Sequence, residues 1–178
     1  MMLPKPIPGR ECGGCTVCCV VLAIDDPQLK KAEDVPCEHM RVGKGCVIHD
    51  YLPVSCRNWY CGWRFLNLSD AMRPDQSHVL LVPEVGSAAG YEKGGLKIVL
   101  AEDEVEALFQ DEFLNLISRC VAGGIPIFLH RGTGMSAKRW LVNEPLKNAV
   151  AQGDRAVVIA ILRDGHAQMR HADAAGPP

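Results

Sequence analysis

The sequence predicts an α+β fold in which a cysteine-rich N-terminal half-domain precedes a mixed sheet with helices on one face. Three observations carry this expectation. Eight of the nine cysteines lie between residues 12 and 61, so the two halves of the chain differ in composition. After residue 67, apolar runs of strand length alternate with helical patterns in the order ββαβαβ. The 178 residues, 48% of them hydrophobic, suffice for one domain or for one domain with a small appendage.

The N-terminal elements are predicted to be short. The apolar, β-branched run VVLAI (20–24) favours a strand. Residues 25–36 begin with an Asp-Pro turn signal and hold at most a short polar helix. Residues 41–50 are typical of a hairpin, because Gly43 and Gly45 can supply its turn.

The C-terminal elements have clearer patterns. In chain order they are a strand at 77–86, a strand at 94–101, a helix at 102–122, a strand at 125–130, a helix at 136–151 interrupted near Pro145, and a buried strand at 155–162. The helix at 102–122 is the clearest, since its apolar residues follow i, i+3, i+4 spacing. Acidic residues open this helix and a Gly-Gly pair ends it.

These patterns divide the chain into three regions. Residues 1–66 form the cysteine-rich region, and residues 67–166 form an α+β region packed on it. Residues 167–178, which end in AGPP, are expected to be a disordered tail.

Charge and hydropathy exclude several classes of function. The net charge is −2 and there is no basic block, so nucleic-acid binding is not expected. No stretch reaches about 18 consecutive apolar residues, so no membrane span is expected. The N-terminus lacks a charged segment followed by an apolar run, which favours a cytoplasmic protein with reduced thiols. In that compartment a cysteine cluster indicates a metal site or catalysis rather than disulfides.

The run CGGCTVCC (12–19) has the spacing of metal ligands. A C-x-x-C turn lets two sulfurs converge on one ion, and zinc takes four such ligands in tetrahedral geometry. Three cysteines at this spacing can instead hold three corners of an iron–sulfur cluster whose fourth ligand is distant. The adjacent side chains of Cys18 and Cys19 diverge, so one of them is expected to serve a second site or to pack.

Residues 12–61 resemble a zinc- or iron-chelating domain family named for its C-x-x-C-x-x-C-C motif (YkgJ-like). CGGCTVCC matches the motif without a gap, and a downstream cysteine and the segment CVIHDYLPVSCR (46–57) match the rest. The metal ligands that spacing and resemblance together imply are Cys12, Cys15, Cys18, Cys19, Cys37, Cys46 and Cys56. Two residues depart from the family pattern: His49 replaces an aromatic residue and Leu52 replaces an arginine. A flagellin lysine methylase is similar in its cysteine set, which would imply redox or methylation chemistry by analogy only.

Several assignments stay open at this point. Zinc and an iron–sulfur cluster fit the cysteines equally well. Cys61 either binds metal or packs against the neighbouring tryptophans, and His49 is either a nitrogen ligand or an ordinary surface histidine. Arg57 either donates to a thiolate or bound anion or forms a surface salt bridge. Cys120 lies on the apolar stripe of the predicted helix and is expected in the core.

Three functions follow. The first is metal binding, with zinc or a cluster nucleating the N-terminal region. The second is an iron–sulfur enzyme or electron carrier. The third is a thiol–disulfide redox protein that uses Cys12 and Cys15 and holds no stoichiometric metal. No catalytic residue is assigned, and the sequence leaves open whether the protein is an enzyme.

Overall fold

The N-terminal region is built from short elements that alternate with loops. The computed structural model describes residues 5–84, 94–102, 104–131 and 138–174. The first elements are α1 (Val17–Val21), β1 (Ile24–Asp26), β2 (Leu29–Lys31), β3 (Met40–Arg41), β4 (Gly45–Cys46), a 3₁₀ turn (His49–Tyr51), α2 (Val54–Arg57) and α3 (Gly62–Phe65). Strands β1 and β2 form one antiparallel hairpin, and β3 and β4 form another.

Two predictions for this region are wrong and two are confirmed. Only one residue of the predicted strand at 20–24 is extended in a strand, because Val20 and Val21 end α1 and β1 begins at Ile24. The turn predicted at Asp26-Pro27 is present and joins β1 to β2, but a strand follows it in place of the short helix. A local bond explains this, since the backbone N–H of Gln28 donates to Asp26 Oδ1 at 2.9 Å and closes the turn. The hairpin predicted at 41–50 is present as β3 and β4.

The C-terminal region contains a four-stranded mixed sheet with helices packed against it. Its elements are a 3₁₀ turn (Asp70–Met72), α4 (Pro74–Ser77), β5 (Val79–Glu84), β6 (Gly95–Leu100), a 3₁₀ helix (Val105–Phe109), α5 (Asp111–Ala122), β7 (Ile127–Arg131), β8 (Lys138–Leu141), α6 (Asn143–Gln152) and α7 (Arg155–Ala174). The strand order is β5-β6-β7-β8. Strands β6 and β7 are parallel and the other pairs are antiparallel, so the predicted α+β class is confirmed.

The predicted strands at 77–86, 94–101 and 125–130 correspond to β5, β6 and β7, and residues 85–86 lie outside the described residues. The predicted helix at 102–122 is divided, because Gln110 is extended (φ −64°, ψ 141°) and separates the 3₁₀ helix from α5.

Two C-terminal predictions are corrected. The predicted helix at 136–151 is instead β8 followed by α6, and its first two residues lie outside the described part. Pro145 does not interrupt α6, because it lies in the first turn, where no intrahelical N–H is required. The buried strand predicted at 155–162 and the start of the predicted disordered tail are both part of the 20-residue helix α7.

One continuous core joins the two regions. Trp63 is only 5% exposed and belongs to the same buried cluster as Leu81 of β5 and Ile117 of α5. Helix α3 packs closely on β5, since a Cβ on Gly62 would lie 2.5 Å from Leu81 Cβ. The sheet therefore supports the cysteine-rich region from one side.

Among the described residues, no helix has the length and apolar character needed to cross a membrane.

Candidate metal centre

The eight N-terminal cysteines surround a single cavity of about 900 Å³, which we call the cysteine cavity. Its wall contains Cys12, Cys15, Cys18, Cys19, Cys37, Cys46, Cys56 and Cys61. All eight are free thiols. The ninth, Cys120, lies on α5 and is 6% exposed in the apolar core, which confirms its predicted core position. The seven predicted ligands are thus brought to one place, and Cys61 is with them.

The thiols line the wall without converging on a point. Among the residues that the structure describes, no three His, Cys, Asp or Glu side chains lie close enough together to hold one metal ion. The chemistry of the donors nevertheless fits zinc or an iron–sulfur cluster, because each of these takes four thiolates and the wall offers eight. The assignment of the seven cysteines as ligands stays a prediction.

The loop from Cys12 to Cys15 is placed by glycines. Its turn is closed by the backbone N–H of Cys15, which donates to the Cys12 carbonyl at 3.0 Å. A Cβ on Gly45 would lie 2.2 Å from the Gly13 carbonyl oxygen, so the β3–β4 hairpin packs backbone to backbone on this loop. Only glycine permits such an approach at Gly45, where φ is +81°. The contact brings Cys46, on β4, to the same cavity as the CGGC loop.

Cys61 is held opposite Cys12 by the attachment of the N-terminal segment to α3. The Arg10 guanidinium donates to the Trp63 carbonyl at 2.6 Å and stacks 5.0 Å from the Trp63 ring. The backbone N–H of Arg64 donates to the Cys61 carbonyl at 3.0 Å, and its Nη1 lies 3.5 Å from Cys12 Sγ. Arg64 therefore contacts both Cys61, its near neighbour in sequence, and Cys12, which is 52 residues away from it.

The downstream cysteines are attached to α1 and to the first hairpin. The backbone N–H of Cys37 donates to the Cys19 carbonyl at 2.9 Å. Helix α2, which carries Cys56, is tied to β1 because the backbone N–H and the hydroxyl of Ser55 donate to Asp26 Oδ2 at 3.0 and 2.7 Å. Asp26 is 5% exposed, and its hydrogen bonds from Gln28 and Ser55 lower its pKa. A buried carboxylate thus fixes α2 rather than facing a metal.

Burial raises the pKa of several cavity thiols. Cys15 is raised to about 11, chiefly because its thiolate would lose contact with water. Burial is also the main cause of the raised pKa values of Cys46, Cys56 and Cys61. These thiols are protonated at neutral pH unless a cation stabilises the thiolate, and a bound metal ion does so by displacing the proton.

Cys18 and Cys19 differ sharply although they are adjacent. The thiol of Cys18 donates a hydrogen bond to the sulfur of Cys19, which raises the pKa of Cys18 and lowers that of Cys19 to about 7. The positive charge of Lys31 lowers the pKa of Cys19 further. Cys19 therefore has the greatest thiolate character of the cavity cysteines with a shifted pKa.

His49 and Arg57, whose roles the sequence leaves open, both lie in the cavity wall. His49 lines the cavity and is exposed, at the first position of the 3₁₀ turn. Arg57 also lines the cavity, and its guanidinium donates to the Leu52 carbonyl at 2.9 Å. Neither contacts a thiol in a described hydrogen bond.

Sequence reasoning missed two cations that interact with the cavity thiols, Arg64 in the cavity wall and Lys31 beyond it. Arg64 reaches Cys12, and its Nε is buried without a hydrogen-bond partner. Lys31 interacts electrostatically with Cys37 and Cys19 while its ammonium donates to the Val20 carbonyl at 2.9 Å. No local pattern marks either residue, because each meets its thiols through the tertiary fold.

Comparisons with protein-family models, with curated proteins and with solved structures found no match for this chain. The resemblance of residues 12–61 to the chelating-domain family therefore stays a prediction. The site is defined by its own residues: a cavity bounded by eight thiols, with cationic side chains among them.

Proposed function

We propose that this chain is a metal-binding protein that holds zinc or an iron–sulfur cluster on thiolates of the cysteine cavity. The observation that carries the proposal is the meeting of all eight N-terminal cysteines, drawn from residues 12–61, around one cavity. Membership of the chelating-domain family that these residues resemble is part of the proposal. So is a reducing, cytoplasmic location, in which free thiols persist.

The energetics of the N-terminal region support a resident metal. Its strands have two or three residues each and its helices four or five, so its secondary structure supplies little stability. Several of its thiols are buried at a cost that a divalent cation would offset. Because such sites do not exist in unfolded chains, the free energy of metal binding stabilises the fold directly.

An iron–sulfur enzyme or electron carrier is a narrower form of the same proposal. The cavity volume of about 900 Å³ is within the range of small-molecule pockets, about 300–1,000 Å³. Apolar side chains such as Leu22, Trp59 and Leu80 share the wall with the thiols. A cluster there would have room for a substrate or an electron-transfer partner beside it.

A thiol–disulfide redox protein is the second candidate. Its support is the pKa of about 7 at Cys19, which is typical of a reactive thiol, beside a second thiol at Cys18. This observation concerns Cys18 and Cys19 rather than the pair Cys12 and Cys15, since the pKa of Cys15 is raised to about 11. This candidate requires that the purified protein contain no stoichiometric metal.

One measurement separates these functions. The full chain is purified without air, and its zinc, iron, acid-labile sulfide and visible spectrum are measured. A colourless protein with stoichiometric zinc excludes the iron–sulfur forms, and a brown protein with iron and sulfide excludes zinc. A protein with neither metal refutes the metal-binding proposal and leaves the redox candidate.

A pair of serine variants tests whether the cavity holds the metal. Cys15→Ser is expected to lower the metal content and the thermal stability, because it removes a cavity thiol. Cys120→Ser is the control, since this thiol is buried in the apolar core and is not part of the cavity wall. Equal metal loss in the two variants would contradict the proposal.

A further inference from the structure

The contacts that position the eight thiols divide them into two groups of four. We propose that the cysteine cavity holds two separate four-cysteine centres, one formed by each group. The first thiol group is Cys12, Cys15, Cys18 and Cys61, and the second is Cys19, Cys37, Cys46 and Cys56. This inference rests on the proposed metal-binding function and assigns its ligands.

The first thiol group is assembled around α3. Arg10 and Arg64 join the segment that leads into Cys12 to the start of α3, where Cys61 lies. The turn bond between Cys15 and Cys12 keeps these two on the same loop. Electrostatic interactions agree with this grouping, since Cys61 interacts with Cys12, and Cys15 with Cys61.

The second thiol group is assembled on the two hairpins and α2. The backbone bond between Cys37 and Cys19 fixes the first pair. Met40 links the next member, because its N–H donates to the Cys37 carbonyl at 3.0 Å and it pairs with Cys46 across β3 and β4. The thiol of Cys56 interacts electrostatically with the other three members of the group.

Helix α1 explains why neighbouring cysteines belong to different groups. Successive residues of a helix point about 100° apart and do not face each other. Cys18 and Cys19 both lie on α1, and the Cys18 thiol donates a hydrogen bond to the Cys19 sulfur, so the two groups meet at this pair. The groups adjoin at this pair, and again where Cys46 interacts with Cys12.

Each group has its own positive charge. Four thiolates on one Zn²⁺ leave a net charge of about −2, which requires compensation inside a partly buried cavity. Arg64 contacts Cys12 in the first group, and Arg73 interacts with Cys15. Lys31 interacts most strongly with Cys37 and Cys19 in the second and less with Cys18, where the groups meet. A single centre would leave either Arg64 and Arg73 or Lys31 beside thiols that carry no charge.

The cavity has space for two centres. Its volume of about 900 Å³ equals about 30 water molecules at about 30 Å³ each. Since no three of the described sulfurs yet share one point, the division is based on backbone and side-chain contacts, and binding must draw each set of four together.

Metal stoichiometry tests the division. In protein purified without air, elemental and sulfide analysis with native mass spectrometry is expected to find two zinc ions or two clusters per chain. Cys61→Ser and Cys56→Ser are each expected to lose half of the metal and keep the other half, and the double variant to lose all of it. Complete loss in either single variant, or one centre per wild-type chain, would overturn the division while leaving metal binding intact. Wild-type protein without metal would refute the proposed function itself.

A cobalt titration keeps the test independent of how well the variants fold. Co²⁺ is added to the reduced, metal-free full chain, and the thiolate-to-metal charge-transfer absorption is recorded. Saturation at two ions per chain is expected, with half of the absorption retained in Cys61→Ser. Saturation at one ion per chain would overturn the two-centre inference.

Discussion

Replacement of Gly45 by alanine is expected to separate the β3–β4 hairpin from the CGGC loop. The new Cβ would lie 2.2 Å from the Gly13 carbonyl oxygen, whereas ordinary contacts begin near 3.4 Å, so the backbones must move apart by about 1 Å. Gly43→Ala is the matched control. Gly43 also has a positive φ, +73° against +81° for Gly45, but a Cβ there would meet nothing within 4 Å.

The expected magnitude follows from this pair. Both variants place alanine in the left-handed region, at a cost of about 1–2 kcal/mol. Only Gly45→Ala adds the overpacking cost of about 1–3 kcal/mol, so it should be less stable than Gly43→Ala by that amount. Since the hairpin carries Cys46, the same difference should weaken metal affinity by about 5- to 150-fold if metal binding requires the closed cavity.

Thermal or urea unfolding of the full chain measures the stability difference, and competition with a chelator measures the affinity difference. Unfolding by itself tests the geometry, because it does not depend on which metal is bound. Equal destabilisation of the two glycine variants would refute the reasoning, since it would mean that the hairpin and the loop do not touch.

Two further predictions concern the C-terminal region. Asn143→Ala should destabilise the protein by about 2–4 kcal/mol in a urea titration, because the buried amide accepts from the Ile127 N–H at 2.8 Å and donates to the Ile125 carbonyl at 2.9 Å. The control is Asn148→Ala on the same helix, which replaces an exposed side chain and should change stability by less than about 0.5 kcal/mol. Burial and the positive charges of Lys97 and Arg139 lower the pKa of His130 to about 4. In the unfolded chain this pKa is about 6.5, so the unfolded chain takes up the proton at a higher pH than the folded chain does. Stability should therefore fall as the pH drops from about 6.5 to about 4. His130→Gln should reduce this loss, and an unchanged pH profile would contradict it.

The C-terminal errors show which local signals were overlooked. The run RAVVIAIL was interpreted as a strand, because a short apolar run does not distinguish a buried strand from a helix. The preceding Gly-Asp pair is the signal that a helix ends and a new helix begins. Gly153 is left-handed (φ +69°) and ends α6, while Asp154 Oδ1 accepts the Val157 N–H at 3.1 Å and caps α7.

The candidate site was predictable in composition but not in arrangement. Cysteine spacing and resemblance indicated seven ligand candidates, and all seven line the cavity. For Cys61 the sequence leaves metal binding and packing open, and only the fold brings it to the cavity wall with Arg64, which reaches Cys12 from 52 residues away. The proposed partition between Cys18 and Cys19 likewise depends on α1, which carries both residues and extends into the run predicted as a strand.

The two sides of the cavity differ in how the protein supports them. Cys61 precedes α3, and α3 is fixed on β5 by Gly62 and Trp63 within the main core. That wall therefore forms together with the sheet, whether or not metal is present. Cys37 and Cys46 belong instead to loops and two-residue strands that have few buried apolar residues of their own. The proposed metal is therefore expected to contribute most to folding on this second side, because there it would replace a hydrophobic core rather than add to one.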